Sequence, residues 1–334
     1  MTKRDGIAVI GAGAWGTALA QVNAAAGRPT RLWARRADVV ESVVAARENR
    51  PCLPGIALDP RLAVSSDLEA TLESSSLVIL AVPSAHVAAL ARRLTAIGTR
   101  PLVLAAKGLE PVTHRLLADA LAAILPSATI AVLSGPSFAA DVARGLPTAV
   151  TLACVDGARA RDLAGRLATP SLRIYSSDDL VGVQIGGAVK NVIAIACGLV
   201  IGRGLGESAR AAVLTRGLAE MARLGAALGA RRETLMGLSG LGDLALTCSS
   251  PQSRNHSLGL ALGRGEPLAA LLAGRRSVVE GVEAAAAIAA LAAERAIDMP
   301  IVVAVNAILR GEARIDDAVA ALLARPLKEE SDAP

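Results

Sequence analysis

Residues 6–16 read GIAVIGAGAWG, and this stretch is the strongest indication of how the chain folds. Its first five residues form an apolar run typical of a buried strand, and residues 17–27 continue with a helical pattern. A strand, a GxGxxG turn and a helix in this order form the dinucleotide-binding fingerprint. In that fingerprint Gly11 makes the tight turn, Gly13 admits the pyrophosphate and Gly16 lets the helix pack on the strand. The stretch therefore predicts a dinucleotide whose pyrophosphate lies at the helix N-terminus.

The end of the second predicted strand, residues 30–34, indicates which dinucleotide is preferred. NAD-specific folds usually place an acidic residue there to hold the ribose 2′-hydroxyl, whereas this strand is followed by Arg35 and Arg36. Two guanidinium groups suit a 2′-phosphate, so we expect NADP to be preferred, with NAD as the alternative. Asp38 could still reach a ribose, and a solvated basic turn is the structural alternative.

Apolar runs and alanine-rich helical segments alternate up to about residue 176, and helical periodicity broken by glycine turns follows. This alternation predicts an α/β fold, with an N-terminal Rossmann-type doubly wound sheet followed by an all-helical C-terminal domain. The predicted domains are residues 1–186, which bind the dinucleotide, and 187–330, which bind the substrate. Further strands are expected at residues 62–65, 77–82, 102–106, 129–133, 149–154 and 172–175. Ligands bind beyond the carboxyl ends of such strands, where loops 82–84, 107–110 and 134–139 fall.

A single charge, Lys190, lies within the apolar and glycine-spaced run VGVQIGGAVKNVIAIACG at residues 181–198. A buried ammonium is costly unless an anionic or polar group meets it. One interpretation is a lysine that extends to solvent from a buried helix. The other is a general acid, because desolvation and neighbouring charges bring a lysine pKa into a useful range.

Two later segments carry polar clusters. Residues 236–243 form a glycine-rich stretch, expected to be a loop, that delivers the carboxylate of Asp243. Ser253, Arg254 and Asn255 are compact hydrogen-bond donors suited to phosphate oxygens. Taken alone, the first segment is as well explained by a flexible loop between helices with a capping aspartate as by a functional role, and the second as well by a surface turn.

Composition excludes several classes of function. A net charge of +5 with scattered arginines argues for small anions rather than nucleic acid, and four aromatic residues are too few for a base-stacking platform. Four cysteines without a CxxC pair suggest neither a zinc site nor a disulfide framework, so we expect no metal and a reducing cytoplasm. No apolar run gives about 20 uninterrupted residues, and the N-terminus lacks a signal-peptide core, so no membrane span is expected.

Eight blocks of the sequence together resemble one known protein family. The blocks GAGAWGTALA, AAKGLE, SGPSFA, GAVKNVIAI, TRGLAEM, GLGDLALTC, SRN and VVEG, in this order and spacing, resemble the bacterial NAD(P)-dependent sn-glycerol-3-phosphate dehydrogenase family. The similarity covers roughly residues 7–323, and the KNV and GLGDL…SRN blocks are more specific than the Rossmann glycines. It implies the reversible reduction of dihydroxyacetone phosphate to sn-glycerol 3-phosphate, which supplies glycerophospholipid synthesis, in a homodimer.

The resemblance also implies roles for individual residues. Lys190 becomes the proton donor to the ketone and the acceptor in the reverse direction. The implied substrate contacts are Lys107, Gly135, Ser137, Lys190, Asn191, Asp243, Ser253, Arg254 and Asn255. The implied cofactor contacts are Gly11, Gly13, Ala14, Trp15, Gly16, Arg35, Arg36, Lys107, Ala139, Arg254, Val278 and Glu280, and Gly135 and Ser137 also match cofactor-binding positions.

Three positions depart from the usual pattern of that family, namely Cys52 in place of an aromatic residue, Ser208 in place of asparagine and His256 in place of arginine. Two other functions stay open on sequence alone. A β-hydroxyacid or 6-phosphogluconate dehydrogenase relative would also use a lysine on the linking helix, but with a carboxylate substrate. A non-catalytic nicotinamide-nucleotide sensor would bind the cofactor without reducing a ketone.

Overall fold

A computed structural model describes residues 5–273 and 279–326 of the chain. The chain divides into two compact units. The sheet unit comprises Met1–Ala106 and Leu117–Leu180, and the helical unit comprises Lys107–Leu116 and Val181–Pro334. The domain boundary predicted between residues 186 and 187 stays a prediction.

The sheet unit is built on one eight-stranded sheet with strand order β3-β2-β1-β4-β5-β6-β7-β8. Every neighbouring pair is parallel except β6 with β7, which is antiparallel. The strands are β1 (Gly6–Ile10), β2 (Thr30–Trp33), β3 (Ala63–Ser65), β4 (Ser75–Leu80), β5 (Leu102–Leu104), β6 (Ile130–Ser134), β7 (Thr148–Cys154) and β8 (Leu172–Ser177). The order reverses direction at β1, the position where doubly wound sheets bind dinucleotides. The predicted doubly wound, largely parallel sheet is thus confirmed.

Helices connect most of these strands. They are α1 (Ala14–Ala25), α2 (Ala37–Ala46), α3 (Leu68–Glu73), α4 (Ser84–Ala91), the 3₁₀ turn Thr95–Ile97, α5 (Leu117–Ile124), α6 (Ala139–Ala143) and α7 (Gly157–Leu167). The central strands β1 and β5 are buried along their whole length, as expected for strands covered on both faces. The apolar runs in the sequence follow from that burial.

The helical unit contains no strand among its described residues, and the predicted all-helical C-terminal domain is confirmed. Its helices are α8 (Leu180–Gly202), α9 (Glu207–Ala227), α10 (Arg232–Leu235), the π-helical turn Leu238–Gly242, α11 (Asp243–Ser249), α12 (Arg254–Gly263), α13 (Leu268–Ala273), α14 (Glu280–Glu294), α15 (Pro300–Leu309) and α16 (Ile315–Leu323). Glu220 on α9 accepts hydrogen bonds from the first backbone N–H groups of α15, at 2.6 Å from Ile301 N and 3.1 Å from Val302 N.

Helix α8 is the centre of this unit. It is apolar on all sides and almost entirely buried, the pattern expected of a core helix. Among the described helices it alone is long and apolar enough to cross a membrane, but 89% of its apolar window is buried inside the protein. Its glycines allow other helices to come close. A Cβ on Gly186 would lie 2.3 Å from the backbone oxygen of Ser239, and one on Gly198 would lie 2.2 Å from that of His256.

The segment Lys107–Leu116 leaves the sheet after β5 and belongs to the helical unit. Leu109 and Leu116 form an isolated antiparallel bridge, and both side chains join the hydrophobic core of the helical unit. Lys107 lies immediately before this closed loop, so the loop fixes the lysine against the helices.

Candidate active site

The glycine turn between β1 and α1 has the geometry that the fingerprint requires. Gly11 has a φ of +113°, and a Cβ there would lie 2.5 Å from the backbone oxygen of Ala81. A Cβ on Gly16 would lie 1.9 Å from the oxygen of Gly11, whereas one on Gly13 would meet nothing within 4 Å. The turn is therefore packed on the protein side and open at Gly13, and it leads into the N-terminus of α1. This arrangement fits a dinucleotide pyrophosphate.

The other expected cofactor positions in this unit lie on turns that follow strands. Ala14 and Trp15 begin α1, and the Nε1 atom of Trp15 is buried without a hydrogen-bond partner among the described residues. Gly135 has a φ of +145° after β6, with Val150 Cα only 2.9 Å from the position of a Cβ. Ser137 donates to the Gly135 oxygen at 3.0 Å, and Ala139 begins α6, which packs on α1.

The two arginines after β2 are both exposed. Arg36 pairs with Asp38, with Nε 2.9 Å from Oδ1 and a second contact from Nη2 to Oδ2. This pair lowers the pKa of Asp38 and raises the pKa of Arg36. The nearby carboxylate is thus neutralised by an arginine, an arrangement that is compatible with a 2′-phosphate.

In the helical unit, Lys190 and Lys107 share one carboxylate. The Nζ atom of Lys190 lies 2.6 Å from Asp243 Oδ1, and the Nζ atom of Lys107 lies 2.6 Å from Asp243 Oδ2. Lys190 also donates to Thr247 Oγ1 at 3.0 Å. The Asp243 side chain is 1% exposed and that of Lys190 is 9% exposed, so this cluster is nearly dry.

Burial is the main influence on these groups. Burial lowers the pKa of Lys190, Asp243 opposes this effect and the charge of Lys107 adds to it, and the resulting pKa is about 8. The pKa of Asp243 is lowered despite its burial, because the two ammonium groups next to it stabilise the carboxylate. The two ammonium groups share one hydrogen-bonded carboxylate, and when Arg254 and Glu280 are included three cations face two carboxylates, a net positive charge that suits a phosphate or a developing oxyanion.

The prediction that residues 236–243 form a loop is wrong. Leu238–Gly242 is a π-helical turn and Asp243 is the first residue of α11. A Cβ on Gly240 would lie 1.9 Å from the backbone oxygen of Leu235, so this glycine allows a close helical approach rather than flexibility. Sequence reasoning also missed Thr247, whose signal is its position four residues after Asp243 on the same face of the helix.

A relay of amides lies beside the lysine. The backbone N–H of Gly281 donates to Asn255 Oδ1 at 3.0 Å, and Asn255 Nδ2 donates to Asn191 Oδ1 at 2.9 Å. These two bonds set the orientation of both amide groups. They leave Asn191 Nδ2 as a buried donor without a partner among the described residues. A ligand oxygen could use this donor.

The remaining expected residues surround this relay. Ser253 is the N-cap of α12, and its side chain accepts from the backbone N–H of His256 at 3.2 Å. Burial raises the pKa of Glu280, and the positive charge of the exposed Arg254 opposes this rise. His256 is buried, which lowers its pKa, and its Nδ1 atom lacks a partner among the described residues. The expected cofactor contact at Val278 lies outside the described residues.

Within residues 5–273 and 279–326, no group of three or more histidine, cysteine, aspartate or glutamate side chains could hold a metal ion. The four cysteines are free thiols, and three of them are buried. A dinucleotide fold together with a buried lysine on a carboxylate defines the class of the protein, an NAD(P)-dependent dehydrogenase.

Comparison with known proteins identifies the family. The family model for the N-terminus of NAD-dependent glycerol-3-phosphate dehydrogenase matches residues 6–160, and the model for its C-terminus matches residues 179–320. The chain belongs to this family. The resemblance seen in the sequence is thereby confirmed.

The chain aligns with individual relatives over nearly its whole length and nearly the whole length of theirs. The chain is 55% identical to glycerol-3-phosphate dehydrogenase [NAD(P)+] of Parvibaculum lavamentivorans, covering 97% of this chain and 98% of that one. It is 54% identical to the enzyme of the same name from Rhodospirillum rubrum, over 98% of this chain and 94% of that one. A crystal structure of glycerol-3-phosphate dehydrogenase from Coxiella burnetii superposes with a TM-score of 0.92 at 40% identity, over 96% and 99% of the two chains.

Proposed function

We propose that this enzyme reduces dihydroxyacetone phosphate reversibly to sn-glycerol 3-phosphate with NADPH or NADH, and that Lys190 is the proton donor. The observation that carries the residue assignment is the buried ammonium of Lys190, 2.6 Å from Asp243 and 3.0 Å from Thr247. The product would supply glycerophospholipid synthesis. When bound, the nicotinamide would supply the hydride in reduction and accept it in the reverse reaction.

Lys190 can donate one proton to the substrate while it stays bonded to Asp243 and Thr247. An ammonium group has three N–H donors, and Asp243 and Thr247 occupy two of them. The third can point to the carbonyl oxygen of the substrate and stabilise the negative charge that develops there. With a pKa of about 8, Lys190 can lose this proton near neutral pH and recover it in the reverse direction.

Asp243 keeps Lys190 and Lys107 within reach of one anionic substrate. A single carboxylate balances only one of the two ammonium groups, so the site attracts a dianionic phosphate ester. We assign the phosphate to Lys107, Arg254 and the unpaired amide N–H of Asn191, with Asn255 and Ser253 orienting these groups. Binding of the phosphate would hold the carbonyl group in place, which is how binding remote from the reacting carbon increases the rate.

In the sheet unit, the N–H groups at Gly13 and the first turn of α1 would hold the pyrophosphate. We propose that Arg35 and Arg36 favour NADP over NAD, because Arg36 already neutralises Asp38, the nearby acidic group that could hold a ribose hydroxyl. The test is to measure kcat/KM for both cofactors under identical conditions. A clear preference for NADH would remove the assignment of the arginines.

The function itself is tested by following the oxidation of NADPH and of NADH in the spectrophotometer with dihydroxyacetone phosphate. Ketone-dependent oxidation is the expected result. 3-Hydroxy acids and 6-phosphogluconate, assayed in the oxidative direction, test the carboxylate-substrate alternative. Cofactor binding without any ketone-dependent oxidation would instead indicate a sensor. From the family resemblance and the free thiols we also propose a cytoplasmic homodimer, which light scattering on the purified protein tests for its oligomeric part.

A further inference from the structure

The glycine turn is held from outside by a segment to which the cofactor fingerprint assigns no role. Residues 47–58 connect α2 to the region before β3, and a hydrogen bond of 2.7 Å from Leu58 N to Arg47 O closes them into a strap. Within this strap Asn49 is completely buried. Its side chain lies against the turn between β1 and α1.

Asn49 uses both hydrogens of its amide nitrogen on that turn. Its Nδ2 atom lies 3.0 Å from the carbonyl oxygen of Ala12 and 2.8 Å from Thr17 Oγ1. Ala12 is inside the GxGxxG turn, and Thr17 lies in the first turn of α1, where its N–H donates to the Gly13 oxygen at 2.9 Å. The Asn49 side chain therefore links the glycine turn to α1, the helix that begins immediately after this turn.

The backbone of Asn49 is itself fixed. Its carbonyl oxygen accepts from Cys52 N at 3.2 Å and from Leu53 N at 2.7 Å, and the Leu53 side chain is part of the core of the sheet unit. The guanidinium of Arg47 donates to Leu62 O at 3.0 Å and also contacts Asp59 O. Asn49 is thus a rigid donor rather than a mobile loop residue.

The other end of the amide is unsatisfied. Asn49 Oδ1 is buried and has no hydrogen-bond partner among the described residues. A flip of the amide would bring Oδ1 against the Ala12 carbonyl oxygen, so the two donor contacts fix its orientation. A buried acceptor without a partner destabilises the folded protein. Asn49 thus keeps its two donor bonds to the turn and the helix although its acceptor is left without a partner among the described residues.

We propose that Asn49 is a positioning residue for the dinucleotide. It holds the Ala12 carbonyl and the first turn of α1 so that the N–H groups of the turn stay preorganised for a pyrophosphate, and it does not itself touch the cofactor. This inference rests on the proposed NAD(P)-dependent function. It predicts that loss of the amide weakens binding of the cofactor more than it slows turnover at saturation, because the reacting groups lie elsewhere.

The experiment measures the Kd of NADPH by fluorescence titration of the full chain without substrate, together with kcat and KM. For Asn49→Ala we expect Kd and the KM for NADPH to rise at least fivefold, with kcat at saturating NADPH within about twofold of the parent protein. Asn23→Ala is the matched control. Asn23 is also almost completely buried and lies on α1, but its side chain bonds to Leu19 O and Arg28 and not to the glycine turn.

We expect Asn23→Ala to lower Tm while leaving the Kd of NADPH within about twofold of the parent value. Thr17→Val keeps the side-chain shape and removes one acceptor of Asn49, so it should raise Kd at least twofold, and it decides the question if Asn49→Ala does not fold. An unchanged Kd in the folded variants, or an equal rise in Asn23→Ala, would overturn the inference. A parent protein that binds neither NADPH nor NADH would overturn the proposed function as well.

Discussion

The Nζ atom of Lys190 lies 2.6 Å from Oδ1 of Asp243, although the two residues are 53 positions apart and lie on the different helices α8 and α11. A lysine buried without a partner would be strongly destabilising, and Asp243 offsets part of that cost. Because Asp243 also pairs with Lys107, it cannot fully neutralise Lys190. The site therefore keeps a net positive charge that can attract an anionic substrate.

The first prediction concerns Lys190 itself. Lys190→Ala removes the proton donor and the positive charge, and positioned general acids contribute about 10² to 10⁴ in rate. We expect turnover with dihydroxyacetone phosphate to fall at least about 100-fold, with the Kd of NADPH little changed. Stopped-flow and steady-state kinetics measure this loss. Near-normal turnover in a folded Lys190→Ala protein would exclude Lys190 from the mechanism.

The second prediction concerns pH. Burial lowers the pKa of Lys190 to about 8, so kcat/KM for the reduction should decline above about pH 8, where the proton has been lost. The oxidation of glycerol 3-phosphate needs the neutral amine and should rise toward the same pH. Asp243→Asn removes the charge that raises the pKa of Lys190, so the declining limb should move to lower pH. An identical limb in both proteins would mean that another group titrates.

Much of the sheet unit could be predicted from the sequence because its signals are local. A buried parallel strand is an apolar run, and Gly11 and Gly16 are needed by backbone contacts that a Cβ would block. Lys190 was also recognisable, since one charge within an apolar run requires a partner. These features depend on residues that are close in sequence.

Other features of the fold and of the site depend on contacts between segments that are distant in sequence, and the periodicity of the sequence does not reveal such contacts. The glycines of residues 236–243 indicated a loop, yet Gly240 serves a close contact with Leu235 in a helical turn. Thr247 and Asn49 are ordinary polar residues until the fold brings each to its partners. The assignment of Lys107 to the helical unit likewise depends on Leu109 and Leu116 packing into that core.

The third prediction concerns Gly281 and the amide relay. A Cβ at Gly281 would lie 2.6 Å from Asn255 Oδ1 and 2.9 Å from the backbone carbonyl oxygen of Asn191, so Gly281→Ala must displace the Asn255 amide or shift α14 away from α8. We expect the KM for dihydroxyacetone phosphate to rise about tenfold or more, equivalent to about 1.4 kcal/mol, with a smaller effect on kcat.

Gly165→Ala is the matched control for this change. Gly165 lies within α7 of the sheet unit, and a Cβ there meets nothing within 4 Å. Alanine in an open helical position should stabilise the protein by about 0.5 to 1 kcal/mol and leave the kinetics unchanged. If Gly281→Ala behaves in the same way as Gly165→Ala, the relay does not position the substrate.

The last prediction concerns Glu220, which is 1% exposed and accepts hydrogen bonds from Ile301 and Val302 at the start of α15. Burial raises its pKa to about 7, against the opposing effect of the two N–H groups. The folded protein therefore holds a proton that the unfolded chain releases near pH 4.5. The stabilisation from Glu220 is complete below about pH 4.5 and is lost as the pH rises through about 7, by about 3 kcal/mol.

Glu220→Gln removes this titration while keeping one acceptor for α15. Its stability should consequently rise relative to the parent protein as the pH increases from about 5 to about 8, since only the parent must bury a charge. Thermal unfolding at a series of pH values measures the difference in Tm, and the exposed Glu266→Gln serves as the control, for which a constant difference is expected. A difference that is equally constant for Glu220→Gln would show that Glu220 stays ionised across this range. The backbone N–H groups of α15 would then stabilise its charge more strongly than burial opposes it.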